Sequence, residues 1–171
     1  GMRRGSGLHD RRGGDALSRP ADTARGFPLG IVLYPVAVLA LILAFPSRPD
    51  MAAAAWGILA FGDGAATLAG RGWGRHRLGW NPDKSLEGLL AFVAAGGAAA
   101  VFLSWWTAPA VHPAPAIGFT LIAAAVAALA AGLAETIPIQ LDDNVTVPAV
   151  AGTVLWMSGL VTGEAWLAAS G

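Results

Sequence analysis

The sequence has no cysteine at all, which excludes disulfide frameworks, thiolate metal centres and cysteine nucleophiles in one step. Charge is almost as scarce: Asp, Glu, Lys and Arg make up 13% of the 171 residues, against about a quarter in a typical soluble domain. The three histidines, His9, His76 and His112, fall in separate loops or tails, so each reads as a solvent-facing or headgroup-facing side chain and no histidine metal cluster is expected. No Gly-Lys-Ser/Thr stands at Walker spacing behind a glycine, which excludes a P-loop. What remains is apolar, with 55% hydrophobic residues and a mean hydropathy of +0.57.

Those apolar residues fall into runs. Five approach the roughly 20 residues that a helix needs to cross a bilayer: 29–45, 51–70, 86–106, 115–135 and 146–168. The pattern predicts an all-α, polytopic membrane helix bundle of about five transmembrane helices over residues 27–171. Residues 1–26 are rich in Gly, Arg, Asp and Ser and read as a flexible basic tail, because they lack the apolar surface that ordering requires.

The formal net charge is zero, and no nucleic-acid partner is expected. Its distribution is uneven. Arg3, Arg4, Arg11, Arg12, Arg19 and Arg25 precede the first run, Arg71, Arg75, Arg77 and Lys84 follow the second, and Arg48 alone lies between them. Because Lys and Arg stay on the cytoplasmic side, the N-terminus, the 71–85 loop and the 136–145 loop are expected inside, and the C-terminus outside.

Finer punctuation agrees. Prolines 46, 49, 109, 113, 115, 138 and 148 are expected to close turns. Asn81-Pro82 predicts an N-cap and first residue of the third helix, which would put Lys84 and Glu87 on one helix face. Small residues at helical spacing (Ala91, Ala95, Ala99; Ala124, Ala128, Gly132; Gly159, Gly163) predict close helix packing. Trp73, Trp80, Trp105, Trp106 and Trp166 stand near run ends, as interfacial anchors do.

Against this background Asp63 is anomalous. A carboxylate at the centre of a span costs about 2.5–3.5 kcal/mol even on insertion scales, so it needs a partner. Thr67, Gly70 and Arg71 share its helix face and lead to the basic loop. Glu87, Glu135, Asp142 and Asp143 all fall at ends of runs expected on the same side. Several carboxylates facing several cations beside a glycine-rich stretch suit phosphoryl transfer from a nucleotide. Acids hold Mg²⁺, cations neutralise phosphate oxygens, and glycines such as Gly62, Gly64, Gly70, Gly72 and Gly74 let backbone N–H groups approach. A single structural Asp–Arg pair with ordinary loop charges is the plainer alternative.

Two ordered blocks carry a resemblance. Gly62-Asp63-Gly64-Ala65-Ala66 with Gly70-Arg71, Gly74 and Asn81-Pro82-Asp83-Lys84-Ser85-Leu86-Glu87-Gly88 form the first. Glu135-Thr136-Ile137-Pro138 with Leu141-Asp142-Asp143-Asn144-Val145-Thr146-Val147-Pro148 form the second. Together they are similar to the polyprenol kinase family: dolichol kinases, phytol kinases and the CTP-dependent diacylglycerol kinases. The resemblance implies a membrane-embedded kinase that moves the γ-phosphoryl group of CTP, or of ATP, to a lipid alcohol such as phytol, farnesol, a polyprenol or diacylglycerol, with an active site on the cytoplasmic face.

It implies residue roles as well. Asp63, Asp142 and Asp143 would hold Mg²⁺ with support from Glu135. Gly62, Gly64, Gly70, Arg71, Arg75, Arg77, Lys84 and Ser85 would bind nucleotide phosphates. Asp63, Glu87 and Asp143 make up the catalytic set, with Glu87 or else Asp143 taking the proton from the alcohol. Such relatives commonly carry extra N-terminal spans, so further spans or a homodimer would complete the walls.

Two other readings compete. The first block also resembles phosphatidate cytidylyltransferases, which make a CDP-lipid, although their basic C-terminal block has no counterpart here. A transporter, channel or assembly protein would want polar residues deep in several spans. Beyond Asp63 these offer only Thr67, Ser104, Thr120, Thr153, Ser158, Thr162 and Glu164.

Overall fold

A computed structural model describes residues 29–138 and 141–169. The tail expected over 1–26, His9, and the side chains of Gly163, Glu164 and Trp166 lie outside what it describes. The chain forms α1 (Leu29–Ala44) and then a long composite helix. This is made of α2 (Pro49–Gly57), a π-helical turn (Ile58–Gly62) and α3 (Asp63–Trp73). A short hairpin follows, β1 (Arg77–Leu78) and β2 (Asn81–Ser85), and then α4 (Leu86–Thr107), α5 (Ile117–Thr136) and α6 (Asp143–Ala169).

Among the described residues, four segments are long and apolar enough to cross a membrane: Pro49–Trp73, Leu86–Ala110, Ile117–Thr136 and Asp143–Val161. The first apolar run gives a helix of only 16 residues, α1. The protein is therefore a multi-pass helical bundle.

Helix α4 is the hub, packed on one side against α2, the π turn and α3, and on the other against α5. Helix α6 lies on α5 and is flanked by α1 and α2. The interior is built largely from alanine, with Ala54, Ala55, Ala100, Ala127, Ala128, Ala131 and Ala151 fully buried around Ile58, Phe92 and Val147. Small side chains let backbones approach, which is how helices gain packing in lipid. Where α4 crosses the π turn, a Cβ on Gly96 would lie 3.4 Å from the Cα atoms of Gly62 and Ile58.

The expected seam on α5 is buried, at Ala124, Ala128 and Gly132. On α4 the buried seam is Gly88, Phe92, Gly96, Ala100 and Ser104, one residue on from the expected Ala91, Ala95 and Ala99. Phe92 fills the space that Gly62 and Gly132 leave, since a Cβ on either glycine would meet its ring at 3.0 Å. Leu68, Ile122 and Val161 point outward with at least 69% of their surface open, a cover that only a bilayer satisfies over so many helices. Trp73, Trp105 and Trp106 are exposed near helix ends, and Trp80 is exposed in the turn of the hairpin. Tyr34 and Trp56 tie α1 to α2 through an indole N–H donated to the phenol oxygen at 2.7 Å.

Two sequence expectations need correction. The third spanning helix begins at Leu86 with Ser85 as its N-cap, whose hydroxyl accepts the Gly88 N–H at 3.2 Å, rather than at Pro82. Residues before proline are pushed to extended backbone, and residues 81–85 accordingly form strand β2. Lys84 and Glu87 thus do not share a helix face. Pro148 lies inside α6, which starts at Asp143. Being near the N-terminus, Pro148 removes only one helical hydrogen bond, that to the Asn144 carbonyl.

Candidate active site

The π turn ends at Gly62, and Asp63 opens α3. Glu135 comes from the last turn of α5 and Asp143 from the first residue of α6. These three helices come from distant parts of the sequence, yet one carboxylate oxygen of each lies within 4.8 Å of the others. Glu135 is 4% exposed. Like charges this close in a membrane protein require a cation.

Lys84 supplies part of it. Its ammonium hydrogen-bonds Glu135 and lies 3.8 Å from Asp143. Burial lowers the Lys84 pKa, but the Glu135 hydrogen bond and the charges of Glu135, Asp143 and Asp63 outweigh that and hold it above the ordinary 10.5. With all four groups ionised, three carboxylates and one ammonium leave a formal charge of about −2. Three hard oxygen donors of that residual charge fit a small divalent cation such as Mg²⁺.

Beside this cluster opens a cleft of about 450 Å³ between α3, the hairpin, α4 and the end of α5. Its walls carry Arg71, Arg75, Arg77 and Lys84, with Glu135 at its edge. The local sequence explains how the hairpin forms that wall. Asn81, extended ahead of Pro82, accepts the Asp83 N–H at 3.2 Å and donates to the Thr136 carbonyl at 3.0 Å. Trp80 adds an indole N–H to the Thr136 hydroxyl at 3.2 Å. The hairpin is thereby fixed to the residue after Glu135, and Lys84 is aimed at the acids.

On the far side of the cleft the Glu87 carboxylate takes the His76 backbone N–H at 3.2 Å and its ring Nδ1 at 2.6 Å. The Leu86 N–H closes the loop by donating to the His76 carbonyl at 2.9 Å. Gly74 ends α3 there, and a Cβ on it would lie 2.2 Å from the Gly70 carbonyl oxygen. No larger residue fits that turn.

No family model and no solved structure matches the chain. Among curated proteins, it is 37% identical to a phytol kinase of Synechocystis sp. over 144 residues, which are 75% of this chain and 56% of the relative. The chain is thus similar in sequence to a phytol kinase. It is also 28% identical over 153 residues to a chloroplastic farnesol kinase of Arabidopsis thaliana, covering 86% of this chain and 49% of that protein. The chain thus spans about half the length of the curated relatives it matches.

In the structure the expected site residues separate into groups. Asp63, Glu135 and Asp143 cluster, and Gly70, Arg71, Arg75, Arg77, Lys84 and Ser85 line the cleft. Gly62 lies away from the cleft, buried against Phe92, and Gly64 faces open space. Asp142 caps α6: one carboxylate oxygen accepts the Asn144 N–H at 3.0 Å and its side-chain N–H at 2.8 Å. Glu87 is engaged with His76. Ser85 spends its hydroxyl on the α4 cap.

The positioning residues His76, Trp80 and Thr136 were not predicted. Thr136 and Trp80 lie within or beside the two family-like blocks, which is the one signal that could have drawn notice to them.

Proposed function

We propose that the chain transfers the γ-phosphoryl group of a nucleoside triphosphate, CTP first and ATP second, to the primary hydroxyl of a prenyl alcohol of the phytol or farnesol type. The observation that carries this reading is the cluster of Asp63, Glu135 and Asp143 around Lys84, at the edge of an arginine-lined cleft. The names of the two curated relatives support the acceptor class.

Arg71, Arg75 and Arg77 bind the nucleotide phosphates in the cleft. Asp63, Glu135 and Asp143 would hold Mg²⁺, which when bound neutralises charge on the β- and γ-phosphate oxygens. Lys84 remains protonated beside them and adds positive charge where the equatorial oxygens gain negative charge. The alcohol oxygen attacks the γ-phosphorus and its proton passes to a carboxylate of the Asp142–Asp143 pair. The bond to the β-γ bridging oxygen breaks, and its electron pair leaves with the nucleoside diphosphate. Products are a prenyl monophosphate and the diphosphate.

Glu87 is assigned to holding the cleft loop through His76, not to proton transfer, because its carboxylate already accepts from that residue. The basic wall of the cleft supports a cytoplasmic active site, with the N-terminus inside and the C-terminus outside.

The test is incubation of purified protein in liposomes with γ-labelled CTP or ATP and a panel of phytol, farnesol, geranylgeraniol, long polyprenols and diacylglycerol. A labelled lipid monophosphate with release of nucleoside diphosphate is expected, CTP being the better donor. Release of pyrophosphate with a CDP-lipid, or no transfer by folded protein, would overturn the reading.

A further inference from the structure

Among the described residues, three apolar grooves along the outside of the bundle are each about 470–630 Å³ in volume. One lies between α1 and α6, about 490 Å³ in volume, with Val145, Ala149, Gly152 and Trp156 on one side and Val36 and Ala40 on the other. Another lies between α5 and α6, where its first α6 residue is Val154. The last lies between α4 and α5, reaching no nearer to the acids than Val93 and Ala125.

Helical rise separates them. Val145 is two residues past Asp143, about 3 Å along the axis, whereas Val154 is about 16 Å from Asp143 and Ala125 about 15 Å from Glu135. The α4–α5 groove comes near Glu135 only through Val93, which packs against Gly132, whereas the lining of the α1–α6 groove runs on along α6 to the residues beside Asp143.

Its head has a definite structure. The residues Val145, Pro148, Ala149, Gly152, Thr153 and Trp156 form one helical stripe of α6, and one more turn toward the N-terminus lands on Asp142. The neighbouring stripe, Val147, Ala151 and Leu155, is buried in the core and leads back to Asp143. The two consecutive aspartates thus serve two faces: Asp143 the cluster, Asp142 the groove. Helix α1 meets this point, since a Cβ on Gly30 would lie 3.4 Å from the Asn144 side-chain nitrogen and 4.0 Å from an Asp142 carboxylate oxygen.

We infer that the α1–α6 groove holds the hydrocarbon chain of the prenyl alcohol, with its hydroxyl at the Asp142 end. This inference rests on the kinase reading above. From Val145 to Trp156 the groove is about 16 Å long, the reach of a dozen or so carbon–carbon bonds at the roughly 1.2 Å advance per bond of an extended chain. That is the main chain of a farnesyl group. Small residues along it, Ala40 and Ala149 among them, leave room for the branch methyls. The acceptor then reaches the acids from the lipid side while nucleotide enters the cleft from the aqueous side.

The test uses the full chain in liposomes at saturating nucleotide. Ala149 is exposed on the groove face, so Ala149→Trp fills the groove without entering the core. Its ratio of kcat/KM for farnesol to that for a one-unit prenol is expected to fall at least tenfold, a ratio independent of the fraction folded. Ala98→Trp, which places the same bulk in the α4–α5 groove, is expected to leave that ratio within twofold of the parent.

A photoreactive farnesol analogue is expected to label peptides of α1 and α6, and excess farnesol to displace it. An unchanged chain-length profile in Ala149→Trp, the same shift in Ala98→Trp, or groove labelling that farnesol does not displace (bilayer acyl chains only) would overturn the inference. If the parent protein phosphorylates no alcohol yet the groove label is displaced by farnesol, the groove stands and the kinase reading falls.

Discussion

The bundle has a charged cluster at each end, and their stoichiometry differs. At the end that the positive-inside pattern would place outside, the outer end, Asp50 is 3% exposed, and Arg48 grips both of its carboxylate oxygens at 2.9 and 2.8 Å. The Ser104 hydroxyl donates to the Asp50 carbonyl, and the cavity beside the pair holds about 10 Å³. At the end that the same pattern would place inside, the inner end, three acids share Lys84 beside a cleft of about 450 Å³. One acid with one bidentate base and no space is a finished structural contact. Three acids with one ammonium and a large basic cleft are arranged for a further cation and an anionic guest.

That contrast is broken most severely at Asp63. Asp63→Asn keeps the shape and removes one of the three anionic donors. Phosphoryl transfer is expected to fall on the order of 10³-fold, measured as labelled lipid phosphate per folded protein. Retention of full activity would reduce the inner cluster to the status of the outer one.

Next in size is Lys84. Lys84→Met keeps the length of the side chain and leaves three carboxylates facing each other, with an expected loss of about 10²-fold in kcat. The same variant reads out pH dependence. The Lys84 pKa is raised above 10.5 in the folded protein, so its contribution to stability is fully present below the unfolded value and is lost as pH rises through the folded one. Thermal unfolding of the parent should therefore show an alkaline decline above about pH 10.5 that Lys84→Met lacks, while neither should respond to Lys84 between pH 7 and 9.

The inner cluster was partly legible in the sequence because in-span charge is rare enough to stand out. Asp63 interrupts an apolar run, Glu135 ends one, and Lys84 and Asp143 stand just ahead of two others, and the spans themselves follow from hydropathy. The hairpin was not legible. Asn81-Pro82 satisfies the rule for a helix start and equally the rule for an extended residue before proline, and contact with Thr136, 55 residues away, decides between them. The π turn over Ile58–Gly62 was hidden for a similar reason: it depends on backbone contact with Gly96, which no local periodicity records. Asp50 went unremarked beside Arg48 because two residues of opposite charge in a turn resemble ordinary loop polarity until burial is known.

The cleft arginines should give a smaller, separable effect. Arg71, Arg75 and Arg77 are exposed and line the space without joining the acid cluster. Arg75→Ala is expected to raise the KM for nucleotide about tenfold, the range of one charge-assisted contact, with kcat changed less than threefold. A fall in kcat without a change in KM would move Arg75 from substrate binding to the transition state.

The smallest effect on catalysis belongs to the outer pair, where the comparison is sharpened from the other side. Asp50→Asn removes the charge that Arg48 faces, and breaking a buried ion pair is destabilising by about 3 kcal/mol at the low end of its range, a figure suited to the partial exposure of Arg48. Thermal unfolding should show that loss, while activity per folded molecule stays within twofold. The paired change Arg48→Met with Asp50→Leu removes both charges and should regain most of the stability, because an apolar pair no longer bears the desolvation of two ions. No such repair is expected at the inner end, where replacing the acids and Lys84 together by apolar residues would abolish transfer even in a more stable bundle. Recovery of stability without function at one end, and indifference of function at the other, is the difference between a charge that holds helices together and charges that act on a substrate.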